Sequence, residues 1–105
     1  MIYTVTMNPS LDYLLSLPAL QAGETNRSAA ERLVAGGKGI NVSKMLYNLG
    51  TDSIIWGFAG GFSGEELCRQ LTAAGLRQEL IFLHNGNTRI NVKLSAGQET
   101  EVNAA

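Results

Sequence analysis

Two glycine-rich segments, Ala35-Gly36-Gly37-Lys38-Gly39-Ile40-Asn41 and Gly57-Phe58-Ala59-Gly60-Gly61-Phe62-Ser63-Gly64, each stand between a short apolar run and a stretch of helical periodicity. Strand-to-helix turns used twice in succession point to parallel strands joined by helical crossovers. After the first turn, Val42, Met45, Leu46 and Leu49 recur at i, i+3, i+4 and i+7. That spacing predicts a helix burying this stripe, with Gly50 at C′. After the second, Ser63-Gly64-Glu65-Glu66 has capping-box spacing, predicting Ser63 as N-cap answered by Glu66 at N3. Leu67, Leu71 and Ala74 then form the apolar stripe, and Gly75 ends the helix.

The remaining segments read as strands and turns. In Ile2 to Met7, Tyr3, Val5 and Met7 share one face and Ile2, Thr4 and Thr6 the other, before Asn8-Pro9-Ser10 turns the chain. Leu14 to Leu17 and Arg32 to Ala35 are short β segments separated by a polar loop from Gln21 to Arg27. Ser53 to Phe58 and Leu80 to Leu83 read as buried strands. From Thr88 to Leu94, Ile90, Val92 and Leu94 point one way, and Arg89, Asn91 and Lys93 form a solvated polar face. Ser95 to Gln98 is a hairpin loop leading into Glu99 to Asn103. This order describes an α/β domain with an added β element, and 105 residues suffice for one domain only.

Composition removes several function classes. A net charge of −1 supplies no overall field for nucleic acid or an anionic membrane, so a bound anion needs a local cluster of donors. A single cysteine, Cys68, forbids an internal disulfide, fits a reducing compartment, and stands on its helix as a small hydrophobe. No Cys/His cluster has zinc-site spacing. The Met1-Ile2-Tyr3-Thr4 start lacks a signal peptide's basic and apolar regions, and no apolar run approaches the roughly 20 residues that cross a bilayer. The expected location is the cytoplasm.

Two turns and a few polar residues carry the candidate chemistry. At Gly36 to Asn41, glycines admit a ligand close to the backbone, the helix start offers unpaired N–H groups, and Lys38 adds a full charge. The loop is not a Walker A motif, because Gly39 stands where a magnesium-binding Ser or Thr follows the lysine. Gly57 to Gly64 fits no G-x-G-x-x-G register, and tight strand–helix packing explains it better. Asp12 lies just past the first strand, where open α/β sheets bind ligands, although a lone acid beside a turn is more often solvated or capping. Arg89 is able to grip a phosphate bidentately, although such a face is usually solvent-exposed. His84, before Asn85-Gly86, is a surface residue.

Five stretches in order resemble the ribokinase-like (PfkB) carbohydrate kinases and, within them, the 1-phosphofructokinases. They are Thr4 to Asp12 (TVTMNPSLD), Gly36 to Ser43 (GGKGINVS), Gly57 to Gly64 (GFAGGFSG), Thr88 to Lys93 (TRINVK) and Glu99 to Asn103 (ETEVN). The resemblance covers essentially the whole chain. It implies the N-terminal part of a single domain, a partial three-layer α/β core with a small β-sheet lid formed around 13–35 and 88–103. It implies ATP-dependent phosphorylation of a phosphorylated ketose, foremost fructose 1-phosphate to fructose 1,6-bisphosphate, with tagatose 6-phosphate as the alternative substrate. By the same resemblance Asp12, Gly37 and Asn41 bind sugar hydroxyls, while Lys38, Arg27 and Arg89 grip the substrate phosphate. Ser10 and Asn103 line the same pocket. The family's Asn/Glu motif near magnesium and its Gly-Ala-Gly-Asp motif, with the catalytic base, are absent from these 105 residues. Hence no catalytic, nucleotide-binding or metal residue is expected in this chain, and ATP and magnesium belong to the full-length parent. A non-catalytic binding or assembly fragment, self-association, and a complementary C-terminal half are further expectations.

Overall fold

Burial alternates along Ile2–Thr6 (β1): Thr4 and Thr6 turn inward while Tyr3 and Val5 face out. The computed structural model describes all 105 residues. β1 is followed by β2 (Ser10–Ser16), β3 (Ala30–Gly36), α1 (Lys38–Asn48), β4 (Ser53–Ala59), α2 (Gly61–Ala73), β5 (Arg77–Phe82), β6 (Arg89–Ser95) and β7 (Glu99–Val102). These strands make two sheets. One is parallel, in the order β1-β4-β5; the other runs β3-β2-β6-β7, with β2 and β6 parallel and its other pairs antiparallel. The crossovers through α1 and α2 advance in one direction across the first sheet, which puts both helices on the same face.

The core lies between that face, the helices and the root of the second sheet. Ile55 and Ala59 from β4 meet Ile40 from α1, Leu67 and Leu71 from α2, and Leu76. Leu11 and Ala35, opposed in the β2–β3 ladder, join the same cluster, with Ile90 packed against it. The second sheet is therefore rooted in the core by one end of its apolar face.

Helix α1 overturns the expected stripe. Val42, Met45 and Leu49 are 51%, 65% and 74% exposed, and the buried residues are Gly39, Ile40 and Ser43. The reason is a buried polar seam with no hydropathy signal. Ser43 Oγ lies 2.7 Å from both Thr4 Oγ1 and Ser53 Oγ, so three hydroxyls on β1, α1 and β4 satisfy one another. Gly50, at φ +80°, does follow the helix as C′.

The capping box is likewise corrected. α2 begins at Gly61 with Gly60 as N-cap and has no side-chain cap. Ser63 is buried inside the helix, where its hydroxyl donates to the Thr88 carbonyl at 2.6 Å. Glu66 instead accepts from Arg69 Nε and Nη2 at 2.7 and 2.6 Å and from Gln70 at 3.0 Å. The Arg69 contact leads the causes that hold the Glu66 carboxyl down at about 2. Leu67 and Leu71 are buried as expected, whereas Ala74 is exposed at the C-cap. Ser63→Ala should cost about 1–3 kcal/mol by stranding the Thr88 carbonyl, and more than Glu66→Ala. Denaturant unfolding checks this; a Ser63→Ala chain as stable as its parent would contradict the buried bond to Thr88.

β5 starts at Arg77, earlier than expected, and is an open edge with Ile81, Phe82 and Leu83 exposed rather than buried. The sheet face away from the helices displays Tyr3, Val5, Trp56 and Ile81, with the Tyr3 and Trp56 rings 4.3 Å apart. An apolar face beside an unpaired edge favours association. Light scattering of the isolated chain should give more than the monomer mass; a monodisperse monomer at high concentration would contradict this.

Candidate functional site

Asp12 stands in β2, opposite Val34 of β3 and Asn91 of β6. Side chains opposite one another across a ladder share a face, so Ser10, Asp12, Gly36, Arg89, Asn91 and Lys93 line one side of the second sheet. Asp12 Oδ1 accepts from Ser10 Oγ at 2.8 Å and Asn91 Nδ2 at 3.1 Å, and Oδ2 lies 3.4 Å from Lys93 Nζ. Asp12 is the leading cause that raises the Lys93 pKa, and Glu101, 3.7 Å from the same ammonium, adds to it. Gly36 passes directly against the Asp12 carboxylate; a Cβ there would collide with it. Glycine is required at this point so that acid and turn can approach.

The turn continues through Gly37, at φ +129°, where a side chain would be strained and its Cβ would come within 2.6 Å of Thr6 Cγ2. Lys38 opens α1 with its side chain exposed, and Asn41 N–H donates the first helical bond to Gly37 O at 2.9 Å. Gly36, Ser10 and Arg89 are successive neighbours across β3, β2 and β6. With adjacent strands about 4.8 Å apart, Gly36 and Arg89 are roughly 10 Å apart. Lys38 and Arg89 thus stand at the same end of the sheet. Arg89 Nε is buried and has no acceptor within the protein. A buried donor without a partner needs an explanation, and an anion is one.

Not every candidate joins them. Arg27 is exposed in the connection before β3, beyond the Ser16–Ala30 pair at the opposite end of the ladder from Ser10 and Gly36. The chain does not bring it to Lys38 and Arg89. Asn103 follows β7 and is exposed, but the next residue is tied in, since Ala104 N–H donates to Asn91 Oδ1 at 3.1 Å.

Sequence reasoning missed Asn91 and Lys93, which are not solvated. Asn91 is buried and Lys93 half-buried against Asp12. The available signal was the polar alternation in Arg89-Ile90-Asn91-Val92-Lys93, which sets the three polar residues on one face without saying what covers it. Beside the site, a cleft of about 330 Å³ opens at the carboxyl ends of β1, β4 and β5, between Asn8, Phe58, Leu83, Asn85 and Thr88. Such strand ends are where open α/β sheets bind ligands. The Gly57–Gly64 turn is packed at its middle, where Gly60 N–H donates to Thr88 Oγ1 at 3.1 Å and Gly61 is covered by Asn87, while Phe58 lines the cleft. His84 is exposed, and burial raises the Cys68 thiol pKa.

The chain thus combines a parallel α/β core, a second sheet rooted in that core, and a glycine-lysine helix start at the same sheet end as Arg89. Residues 5–105 match the pfkB family of carbohydrate kinases, and the chain belongs to that family. It is 45% identical over 105 residues to the 1-phosphofructokinase of Borreliella burgdorferi and 46% identical over 103 residues to that of Bacillus subtilis. These matches cover 99% and 98% of this chain but 34% of each relative, so the chain spans about a third of their length. Escherichia coli phosphofructokinase-2 in complex with fructose 6-phosphate superposes with a TM-score of 0.86 at 28% identity, over 99% of this chain and 34% of that one.

Proposed function

We propose that this chain is the N-terminal, sugar-phosphate-binding part of an ATP-dependent 1-phosphofructokinase, which converts fructose 1-phosphate to fructose 1,6-bisphosphate. The observation that carries the reading is the shared sheet end where Asp12, the Gly36–Asn41 turn and Arg89 meet. A carboxylate accepts hydrogen bonds from sugar hydroxyls, and Asp12 is held for that task by Ser10, Asn91 and Lys93. Lys38 and Arg89 supply the local cations that a chain of net charge −1 needs to hold a phosphate. Gly37, Asn41 and Asn103 complete the sugar pocket in this reading, and Arg27, at the opposite end of the β2–β3 ladder, takes no part in it.

Phosphoryl transfer depends on positioning and charge stabilisation around nucleotide and metal. The nucleotide pocket, metal site and general base are assigned to the remaining two-thirds of the kinase, in the cytoplasm. The 105-residue chain alone should form no fructose 1,6-bisphosphate; formation by highly purified chain would refute this division. In the whole kinase, kcat/KM for fructose 1-phosphate should exceed that for tagatose 6-phosphate at least tenfold. The reverse ratio would reassign the substrate.

A further inference from the structure

Ala35, the residue before the Gly36-Gly37 turn, has both its backbone groups held by side chains from different helices. Its carbonyl accepts from Lys44 Nζ on α1 at 2.6 Å, and its N–H donates to Gln70 Oε1 on α2 at 3.0 Å. Gln70 Nε2 also donates to the Leu33 carbonyl at 3.0 Å. β3 is an edge strand, paired with β2 alone. The Gln70 carboxamide therefore meets a carbonyl and an N–H two residues apart on the open edge, as a neighbouring strand would. Glu66 accepts the second Gln70 proton at 3.0 Å and is itself gripped by Arg69, which fixes the amide plane.

The lysine is an unusual clamp. A lysine near a surface normally extends its ammonium into water. Lys44 instead points inward to a carbonyl, and partial burial lowers its pKa although Asp12 opposes the shift. The clamped residue is also strategically placed. Ala35 opposes Leu11 in the ladder, between the Ser10–Gly36 and Asp12–Val34 pairs.

We propose that Lys44 and Gln70 are positioning residues that pin the root of β3 to the two core helices. They thereby set where Gly36, Gly37 and Asp12 stand relative to the start of α1. The consequence for the sugar phosphate rests on the kinase reading above; the anchor itself does not.

Hydrogen exchange at single-residue resolution on the 105-residue chain tests the anchor. Gln70→Leu removes the acceptor of Ala35 N–H and should speed its exchange at least tenfold. Lys44→Met leaves that hydrogen bond chemically intact, yet should also speed exchange at Ala35 at least tenfold, because the other side of the clamp is gone. Exchange at Ile55 and Leu71 should stay within twofold, and Lys44→Arg should restore Ala35. An Ala35 rate in Lys44→Met within twofold of the parent, or equal acceleration at Ile55 and Leu71, would overturn the proposal. Where an apolar variant fails to fold, Lys44→Ser and Gln70→Ser, whose hydroxyls are too short to reach Ala35, are read in the same way. In the whole kinase, Lys44→Met should raise KM for fructose 1-phosphate at least tenfold with KM for ATP within twofold. An unchanged sugar-phosphate KM would overturn the positioning role. The expected exchange pattern in a kinase indifferent to fructose 1-phosphate would support the anchor and overturn only the substrate.

Discussion

Gly39→Ala is expected to destabilise the chain by about 3 kcal/mol, the upper part of the usual cost of overpacking. Gly39 is buried in the first turn of α1, where the helix lies on β1. A Cβ at this position would overlap Thr6 Oγ1 and lie only 2.8 Å from the Val5 carbonyl oxygen. Thr6 is buried, which restricts rotation of its side chain, and the Val5 carbonyl belongs to backbone registered with Trp56 in the parallel ladder and has no such freedom. Alanine returns about 1 kcal/mol through helix propensity, too little to offset the clash. Small domains have a total stability of about 5–15 kcal/mol, so a large share of the folded population is at risk. Denaturant titration checks the value, with Lys38→Ala, exposed on the same turn, as a near-neutral control. A Gly39→Ala chain as stable as its parent would mean that α1 does not sit against β1 as described.

Arg89→Ala, made in the whole kinase, should raise KM for fructose 1-phosphate about ten- to a hundredfold, matching loss of one charge-assisted bond of roughly 1.5–3 kcal/mol. The argument begins with an unpaired donor: Arg89 Nε is buried without an acceptor in the protein. Its strand neighbour is Ser10, and Gly36, two residues before Lys38, stands one strand further across. An anion at this sheet end meets both cations, whereas the chain as a whole carries net charge −1. KM for ATP should move far less. A larger effect on ATP than on the sugar phosphate would assign the arginine to the nucleotide and remove it from the proposed pocket.

Much of the fold was legible from local pattern. β1 and β4 form as strands where expected, although β1 buries its threonines and exposes Tyr3 and Val5. Gly50 and Gly75 end their helices with positive φ. The glycines at 36 and 37 are read in the sequence as admitting a ligand; in the structure it is the Asp12 carboxylate that lies against Gly36. Apolar periodicity failed at α1 because the helix has two candidate faces. Val42, Met45 and Leu49 make the more hydrophobic one, but the face against the sheet has Gly39, a single large apolar residue, Ile40, and one hydroxyl, Ser43. Close packing and mutual hydrogen bonding there exceed what side-chain hydropathy records. Ser63 failed as a cap for a related reason: its partner, the Thr88 carbonyl, is 25 residues away and reaches it only through the fold.

The site divides along the same line. Residue types and turn chemistry single out the Gly36–Asn41 turn, which depends on backbone freedom and charge within a few residues. Asp12 and Arg89 become candidates only through the resemblance carried by the order of motifs. The burial of Asn91 and Lys93 beside Asp12, the displacement of Arg27 to the far end of the lid, and the clamp on Ala35 are set only by strand register and helix placement. Those contacts join residues up to 79 positions apart. Each forms through the closure of long loops and the burial of a shared core, so no short stretch of sequence carries it.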